Sequence, residues 1–146
     1  MTASVPDGFS SIEIGGRFIG LSGPLFSRQH DGSLELGFHV EARHANGMGV
    51  CHGGMMATFC DMLLPLTTRS LVPGIGNVFL PTISIQVDYL APASLGAWVQ
   101  GSAQVLHSTK SLAFAQGLVT ADGKLVARTS GVFKISRRLR DEGVSG

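Results

Sequence analysis

The chain has 146 residues, of which 44% are hydrophobic and only 14% charged, and its net charge is +1. This length fits one folded domain over 1–146. A nearly neutral chain lacks the basic face that binds nucleic-acid phosphates, so no nucleic-acid partner is expected. Its charged fraction lies well below the roughly 25% of ordinary soluble domains. We therefore expect part of the surface to be buried between subunits.

Neither a leader peptide nor a membrane span is expected from the sequence. The first 30 residues hold no basic start followed by a continuous apolar run. The most apolar stretch, 50–66, is interrupted and falls short of the roughly 20 residues that a spanning helix needs. Cys51 and Cys60 would lie about 13 Å apart on one helix, too far for a disulfide. Reduced thiols, a cytoplasmic location and no membrane partner are the expectation.

The first part of the chain predicts turns followed by a hairpin. Residues 1–16 are rich in turn-forming glycine and proline. Two strands are predicted at 17–27 and 33–44, joined by a turn at 30–32. Apolar and polar residues alternate along the second strand, which indicates one buried face.

One long helix is predicted over 53–71. It is apolar on most sides, so we expect protein around it. Pro65 lies inside this helix and cannot donate the N–H group that would bond the carbonyl of Asp61. A bend or an early end is therefore expected at Pro65.

The remainder of the chain predicts β-structure. Along the first of its strands, one face carries Ile83, Ile85, Val87 and Tyr89, and the other carries Thr82, Ser84, Gln86 and Asp88. The strands are predicted at 79–90, 97–107, 112–120 and 125–135, with turns near 91–92, 108–111 and 121–123. The predicted class is α+β, with a long central helix wrapped by a five- to six-stranded antiparallel sheet.

The segment from Asn46 to Asp61 carries the strongest functional signal. An asparagine stands six residues before His52-Gly53-Gly54, and a single carboxylate stands nine residues after His52. A helix start offers free N–H groups and a positive dipole end, which suit an oxygen that becomes negative during a reaction. An acid inside an apolar helix is costly unless it has a task or a partner. Together these residues indicate an active site.

This spacing and the order of the elements resemble the hotdog-fold acyl-CoA thioesterases of the phenylacetate-pathway type, in the 4-hydroxybenzoyl-CoA thioesterase superfamily. The likeness covers most of the chain, including 37–40, 43–49 and the strand end at 88–92. It implies a hotdog fold, hydrolysis of an acyl-CoA, and no separate cofactor, because CoA is part of the substrate. It also implies self-association as a homodimer and further as a homotetramer.

The resemblance also assigns roles to individual residues. It implies that the Asn46 side-chain amide and the Gly53 backbone N–H bind the thioester carbonyl oxygen. Asp61 would activate water or attack directly, and these two alternatives stay open. Thr82 matches a residue that orients the water, by its distance from the Tyr-x-x-Pro element. His52 would shape the loop rather than take the proton.

The spacing itself predicts a shared site. Gly53 and Asp61 stand eight residues apart, which is about 12 Å along a helix. One thioester cannot lie within hydrogen-bond range of both residues. A second, antiparallel copy that supplies Asp61 would close this distance, so we expect a two-fold homodimer with two interfacial sites.

Simpler structural explanations remain open for each site residue. Asp61 could form a cap or a salt bridge, and His52 could be a structural histidine. The Gly53-Gly54 pair could serve close packing, Asn46 could form a turn, and Thr82 could be an ordinary strand residue.

The CoA phosphates have weaker candidate ligands. Gly54, Lys110 and Arg137 are the residues we assign to CoA binding, the last two because basic side chains suit phosphate. Arg138 and Arg140 belong to the same basic group, and solvated turn and tail positions are the alternative for all of them. The histidines and cysteines show no zinc spacing, so no metal is expected.

Other enzyme classes lack their motifs in this chain. It has no Gly-x-Ser-x-Gly elbow, Walker loop or Gly-x-Gly-x-x-Gly after a strand. The predicted activity is hydrolysis of a small to medium acyl-CoA, with aromatic and arylacetyl groups among the candidates. The alternatives are a non-catalytic acyl-CoA-binding module and a hydratase or dehydratase of the same fold.

Overall fold

The structure is a computed structural model that describes residues 4–136. Its two helices are α1 (Gly16–Ser22) and α2 (Gly53–Leu71), and a short 3₁₀ turn covers Ala42–His44. Its strands are β1 (Ser10–Ile12), β2 (Leu25–His30), β3 (Ser33–His39), β4 (Thr82–Tyr89), β5 (Trp98–Ser108), β6 (Leu112–Ala121) and β7 (Lys124–Lys134).

The strands form one antiparallel sheet in the order β1-β2-β3-β5-β6-β7-β4. The α+β class is confirmed, and within the described residues the sheet has seven strands rather than five to six. The added strand is β1, which arises from the turn-rich start and pairs with β2. Although β4 precedes β5 in the chain, it pairs with β7 and so lies at the edge of the sheet.

Helix α2 forms the centre of the core. It packs against β3, β4, β5, β6 and β7, and its Phe59, Leu63 and Leu64 are fully buried. These side chains repeat at helical spacing and explain why the apolar stretch is a helix surrounded by sheet. No helix within residues 4–136 is long and apolar enough to cross a membrane.

The early end expected at Pro65 does not occur, because α2 continues to Leu71. Proline removes a single hydrogen bond from the helix, whereas the turn beyond it is fixed by packing. Thr67 and Thr68 are both fully buried there, and the Thr68 hydroxyl donates to the Leu64 carbonyl at 2.8 Å. Burial on both sides of Pro65 outweighs the missing hydrogen bond.

The strand predicted at 17–27 is wrong, since α1 occupies its first part and β2 begins only at Leu25. The second strand, predicted at 33–44, is shorter than expected, since β3 ends at His39. Helix α1 buries Ile19 alone, so its apolar pattern is too weak to be recognised in the sequence. The Arg43 guanidinium donates to the carbonyls of Leu21 and Gly23, and these long-range contacts fix the end of α1.

Strand β4 contains a bulge that changes which way its first residues face. The register with β7 shifts between Thr82 and Ser84, and Ile83 is 57% exposed. In the predicted alternation, Thr82 lies on the other face of the strand from Ile85 and Val87, whose side chains pack against the core. The extra residue turns Thr82 toward α2 instead, which is a known effect of bulges.

Candidate active site

The loop before α2 is closed around the side chain of Asn46. Its Oδ1 accepts hydrogen bonds from the backbone N–H groups of Met48 at 2.9 Å and Val50 at 3.3 Å. Its own N–H donates to the Val50 carbonyl at 2.8 Å, and Gly49 permits the tight turn with φ of 76°. The Nδ2 amide has no partner among residues 4–136. Asn46 therefore forms the turn and still presents a free hydrogen-bond donor.

His52 is the N-cap of α2. Its ring Nδ1 accepts from the Gly54 N–H at 2.8 Å, and its backbone N–H donates to the His44 carbonyl at 2.7 Å. A Cβ atom on Gly54 would lie 3.0 Å from this ring nitrogen, so glycine allows the ring its close approach. His52 therefore stabilises the start of α2 as its cap, and its role in the site stays a prediction.

The N–H group of Gly53 is left free by this arrangement. The N–H groups of Met55 and Met56 both donate to the His52 carbonyl, while Gly53 N–H has no acceptor within the described part of the chain. On its other side, the Tyr89 hydroxyl donates to the Gly53 carbonyl at 2.5 Å. A fixed, unengaged N–H at a helix start is suited to binding an oxyanion.

Asp61 contacts Thr82 across the gap between α2 and β4. The Thr82 hydroxyl donates to Asp61 Oδ1 at 2.6 Å. Asp61 Oδ2 accepts nothing from residues 4–136, and Asp61 forms no ion pair with them. The carboxylate is thus neither a helix cap nor half of a described salt bridge. It is oriented through one oxygen and open through the other.

The two halves of the predicted site lie at separate cavities of one copy. A cavity of about 370 Å³ adjoins Gly53 and Tyr89, and another of about 450 Å³ adjoins Asp61 and Thr82. The two cavities share no lining residue. The structure therefore brings Asp61 and Thr82 together, but it does not bring them to Gly53 within one chain.

Of the predicted CoA ligands, Gly54 lies in the first turn of α2 with its N–H donated to His52, and Lys110 lines neither cavity. Lys110 is exposed in the turn between β5 and β6. This turn lies at the Thr82 end of the sheet. The Ile135 N–H donates to the carbonyl of Ser111 in the turn, and the neighbouring Lys134 N–H donates to the carbonyl of Pro81, which precedes Thr82. Arg137 lies outside the described residues.

Two residues at the cavities were not recognised from the sequence as site residues. The Tyr89 hydroxyl donates to the Gly53 carbonyl. In the sequence, Tyr89 could have been noticed as the residue with a hydroxyl group on the otherwise apolar face of its predicted strand. Arg69 lines the cavity beside Asp61. In the sequence, Arg69 could have been noticed as a cationic side chain in a mostly apolar helix. Among residues 4–136, no three His, Cys, Asp or Glu side chains cluster as metal ligands.

One cysteine lies just before α2 and the other lies inside it, and they do not form a disulfide. Cys51 precedes the helix and is partly buried, whereas Cys60 is fully buried inside it. Burial raises the pKa of each thiol from 9.0 to about 11. Both thiols therefore stay protonated at neutral pH, and neither is poised as a nucleophile.

Comparison with known proteins identifies the family. A family model described as "Thioesterase superfamily" matches residues 48–128. The Pseudomonas aeruginosa protein named "Putative esterase PA0474" is 29% identical over 134 residues, which cover 90% of this chain and 98% of that protein. Human acyl-coenzyme A thioesterase 13 is 37% identical over 95 residues, which cover 61% of this chain and 63% of that protein.

A solved structure agrees with the sequence matches. A mutant of phenylacetic acid degradation protein PaaI from Thermus thermophilus superimposes with a TM-score of 0.67 at 25% identity, covering 80% of this chain and 96% of that one. This likeness confirms the predicted hotdog fold. The family match spans more than half of the sequence, so the chain belongs to the thioesterase superfamily and is a thioester hydrolase.

Proposed function

We propose that the chain hydrolyses small to medium acyl-CoA thioesters to the free acid and CoA. The observation that carries this proposal is the Asp61 carboxylate, which Thr82 orients at the wall of a cavity and whose Oδ2 accepts nothing from residues 4–136. A free carboxylate oxygen there has a use in catalysis, where it can accept a proton from water. The relative named acyl-coenzyme A thioesterase supports CoA as the thiol carrier.

The proposed reaction uses the Gly53 N–H and the Asn46 amide as hydrogen-bond donors and the Asp61 carboxylate as the proton acceptor. Water attacks the thioester carbonyl carbon while Asp61 takes one of its protons. The carbonyl oxygen becomes negative and is bound by the Gly53 N–H and the Asn46 amide, which both lack an acceptor within residues 4–136. The carbon–sulfur bond then breaks, and the CoA sulfur takes the proton held by Asp61 and leaves as the thiol. One oxyanion donor is typically worth roughly 2.7–4 kcal/mol of barrier.

The complete site is proposed to form between two copies. Gly53 and Asp61 stand about 12 Å apart along α2 and face separate cavities. Strand β4 is an edge strand and exposes Ile83 and Tyr89, so it can pair with the same strand of a second copy. Antiparallel pairing about a two-fold axis would bring Asp61 of one copy toward Gly53 of the other. A homotetramer would join two such dimers.

The two histidines next to the start of α2, His44 and His52, argue against a hydratase or dehydratase. The His52 ring is engaged as the helix N-cap, and the His44 ring bonds the Glu41 N–H and the Ser22 carbonyl. Both ring nitrogens of His44 are engaged, and the His52 Nδ1 that accepts from Gly54 cannot also take a proton from an acyl chain. A non-catalytic binding module would leave the Asp61 carboxylate without a task.

Release of free thiol from a panel of acyl-CoA thioesters tests this function. The panel comprises butyryl-, octanoyl-, benzoyl- and phenylacetyl-CoA. Asp61→Asn should lower kcat about 10²- to 10⁴-fold, since it removes the proton acceptor. Asp31→Asn is the matched control, because Asp31 lies in an exposed turn with φ of 51° that asparagine tolerates. Equal release by wild type and Asp61→Asn would overturn the proposal.

A single turnover in ¹⁸O-labelled water distinguishes the two roles of Asp61. Label in the first acid released, together with no acyl-Asp61 anhydride trapped by hydroxylamine, indicates direct attack by water, because water that attacks the acyl carbon of an anhydride would label the acid as well. Label in Asp61, with unlabelled acid, indicates attack by the carboxylate itself.

A further inference from the structure

The cavity beside Asp61 is a trough that follows one face of α2. This face presents Asp61, Met62, Pro65, Leu66 and Arg69, residues that lie above one another along a helix. From Asp61 to Arg69 the helix rises about 12 Å. The trough therefore has room for an extended chain that starts at the proposed reaction centre.

The trough carries its two charged side chains at opposite ends. Asp61 and Arg69 are the charged residues among those that line it, and the residues between them are apolar. A hydrocarbon segment fits between them without leaving a buried polar group unsatisfied. The rest of the lining comes from 14–16 and 79–82, in which Thr82 beside Asp61 has the one polar side chain.

The Arg69 guanidinium has donors to spare. Its Nη2 donates to Asn77 Oδ1 at 2.9 Å, and it forms no ion pair with residues 4–136. A guanidinium carries five N–H donors in a rigid fork that matches a carboxylate. A position in the last turn of α2 favours a cation through the helix dipole, but it does not require the side chain to line a cavity.

We propose that Arg69 is a specificity-determining residue that binds a carboxylate at the far end of the acyl group. This proposal rests on the proposed function, since it names the substrate class of the same site: monothioesters of dicarboxylic acids. Asp61 repels a carboxylate at the reacting end, while Arg69 attracts it at the other end, so the opposite charges fix the orientation. An extended chain advances about 1.2 Å per bond, so an acyl group of about eight carbons fits the span.

The test compares octanedioyl-CoA with octanoyl-CoA, which differ in the distal group alone. Wild type should give the higher kcat/KM with octanedioyl-CoA. Arg69→Met should lower kcat/KM for octanedioyl-CoA about tenfold or more, because a charge-assisted hydrogen bond is lost, and should change octanoyl-CoA less than threefold. Arg17→Met is the matched control, since Arg17 is exposed on α1 and should change neither value.

Three outcomes would overturn the assignment of Arg69. The first is a wild type that hydrolyses octanoyl-CoA but does not prefer octanedioyl-CoA. The second is a preference that Arg69→Met leaves unchanged. The third is an equal loss of kcat/KM on both substrates, which would indicate that Arg69 contacts the CoA part of the substrate and not the acyl group. In each case hydrolysis of octanoyl-CoA by wild type keeps the proposed function intact, whereas release from neither thioester would contradict that function itself.

Product inhibition of the wild type provides a measurement that does not depend on the variant folding. Octanedioate should inhibit hydrolysis competitively at a concentration about tenfold lower than octanoate, by the same charge-assisted hydrogen bonds. Equal inhibition by the two acids would overturn the proposal.

Discussion

Thr82 donates a 2.6 Å hydrogen bond to Asp61 and so ties the first residue of β4 to the middle of α2. The bond exists because a bulge in β4 turns Thr82 toward the helix. One carboxylate oxygen is thereby fixed, and the other accepts no hydrogen bond from the described part of the chain.

Removing this hydroxyl should disorient the carboxylate without removing it. Thr82→Val keeps the shape of the side chain and loses the donor, so we expect kcat to fall about tenfold, the equivalent of roughly 1.4 kcal/mol. Thr82→Ser keeps the donor and should stay within about threefold of wild type. Steady-state kinetics with one acyl-CoA measures both. An unimpaired Thr82→Val enzyme would show that the hydrogen bond has no part in catalysis.

Asn46→Asp separates the two tasks of Asn46. A carboxylate still accepts from the N–H groups of Met48 and Val50, so the loop should keep its fold. It cannot donate to an oxyanion and adds a negative charge beside it, so kcat should fall about 10²- to 10³-fold. Thermal unfolding should show a Tm within a few degrees of wild type. Full activity in this variant would exclude the Asn46 amide from the oxyanion site.

Stability should fall at alkaline pH through the buried thiols. Burial raises the pKa of Cys60 from 9.0 to about 11, so the folded state keeps a proton that the unfolded state loses. The contribution to stability is complete below pH 9 and is lost as pH rises to about 11. For Cys60 alone this corresponds to roughly 2–3 kcal/mol. Urea unfolding at pH 8 and pH 11 measures the loss.

The control for this pH dependence is Cys60→Ala. Tyrosine and lysine side chains also titrate in this range, but they are unchanged in the variant. The free energy of unfolding should therefore decrease less between the two pH values in Cys60→Ala than in wild type. The same decrease in both proteins would refute the role of the Cys60 thiol.

Strong local patterns allowed much of the fold to be predicted from the sequence. Helix α2 spans 53–71 as expected, because its apolar periodicity is continuous and His52 gives it a clear start. The turns at 30–32 and 121–123 place Asp31 and Asp122 at positive φ beside a glycine, which is the turn chemistry their sequence indicates. Helix α1 could not be predicted, because contacts from Arg43 and His44 fix its end over long range.

The site was predictable in part for the same reason. The cap by His52 and the turn at Asn46 depend on neighbouring residues, so the local sequence contains them. The hydrogen bond from Thr82 depends on a bulge, and the one from Tyr89 to Gly53 joins residues 36 positions apart. Such contacts depend on strand pairing and cannot be read from local patterns.

Subunit exchange between two inactive variants tests the shared site most directly. In Asn46→Ala and Asp61→Asn homodimers, each site lacks one of the two groups. A mixed dimer would hold one doubly defective site and one intact site. Random exchange in equal amounts makes half of the dimers mixed, so about one quarter of the wild-type activity should return. An exchanged mixture that remains as inactive as its two components would contradict a site built from Gly53 of one copy and Asp61 of another.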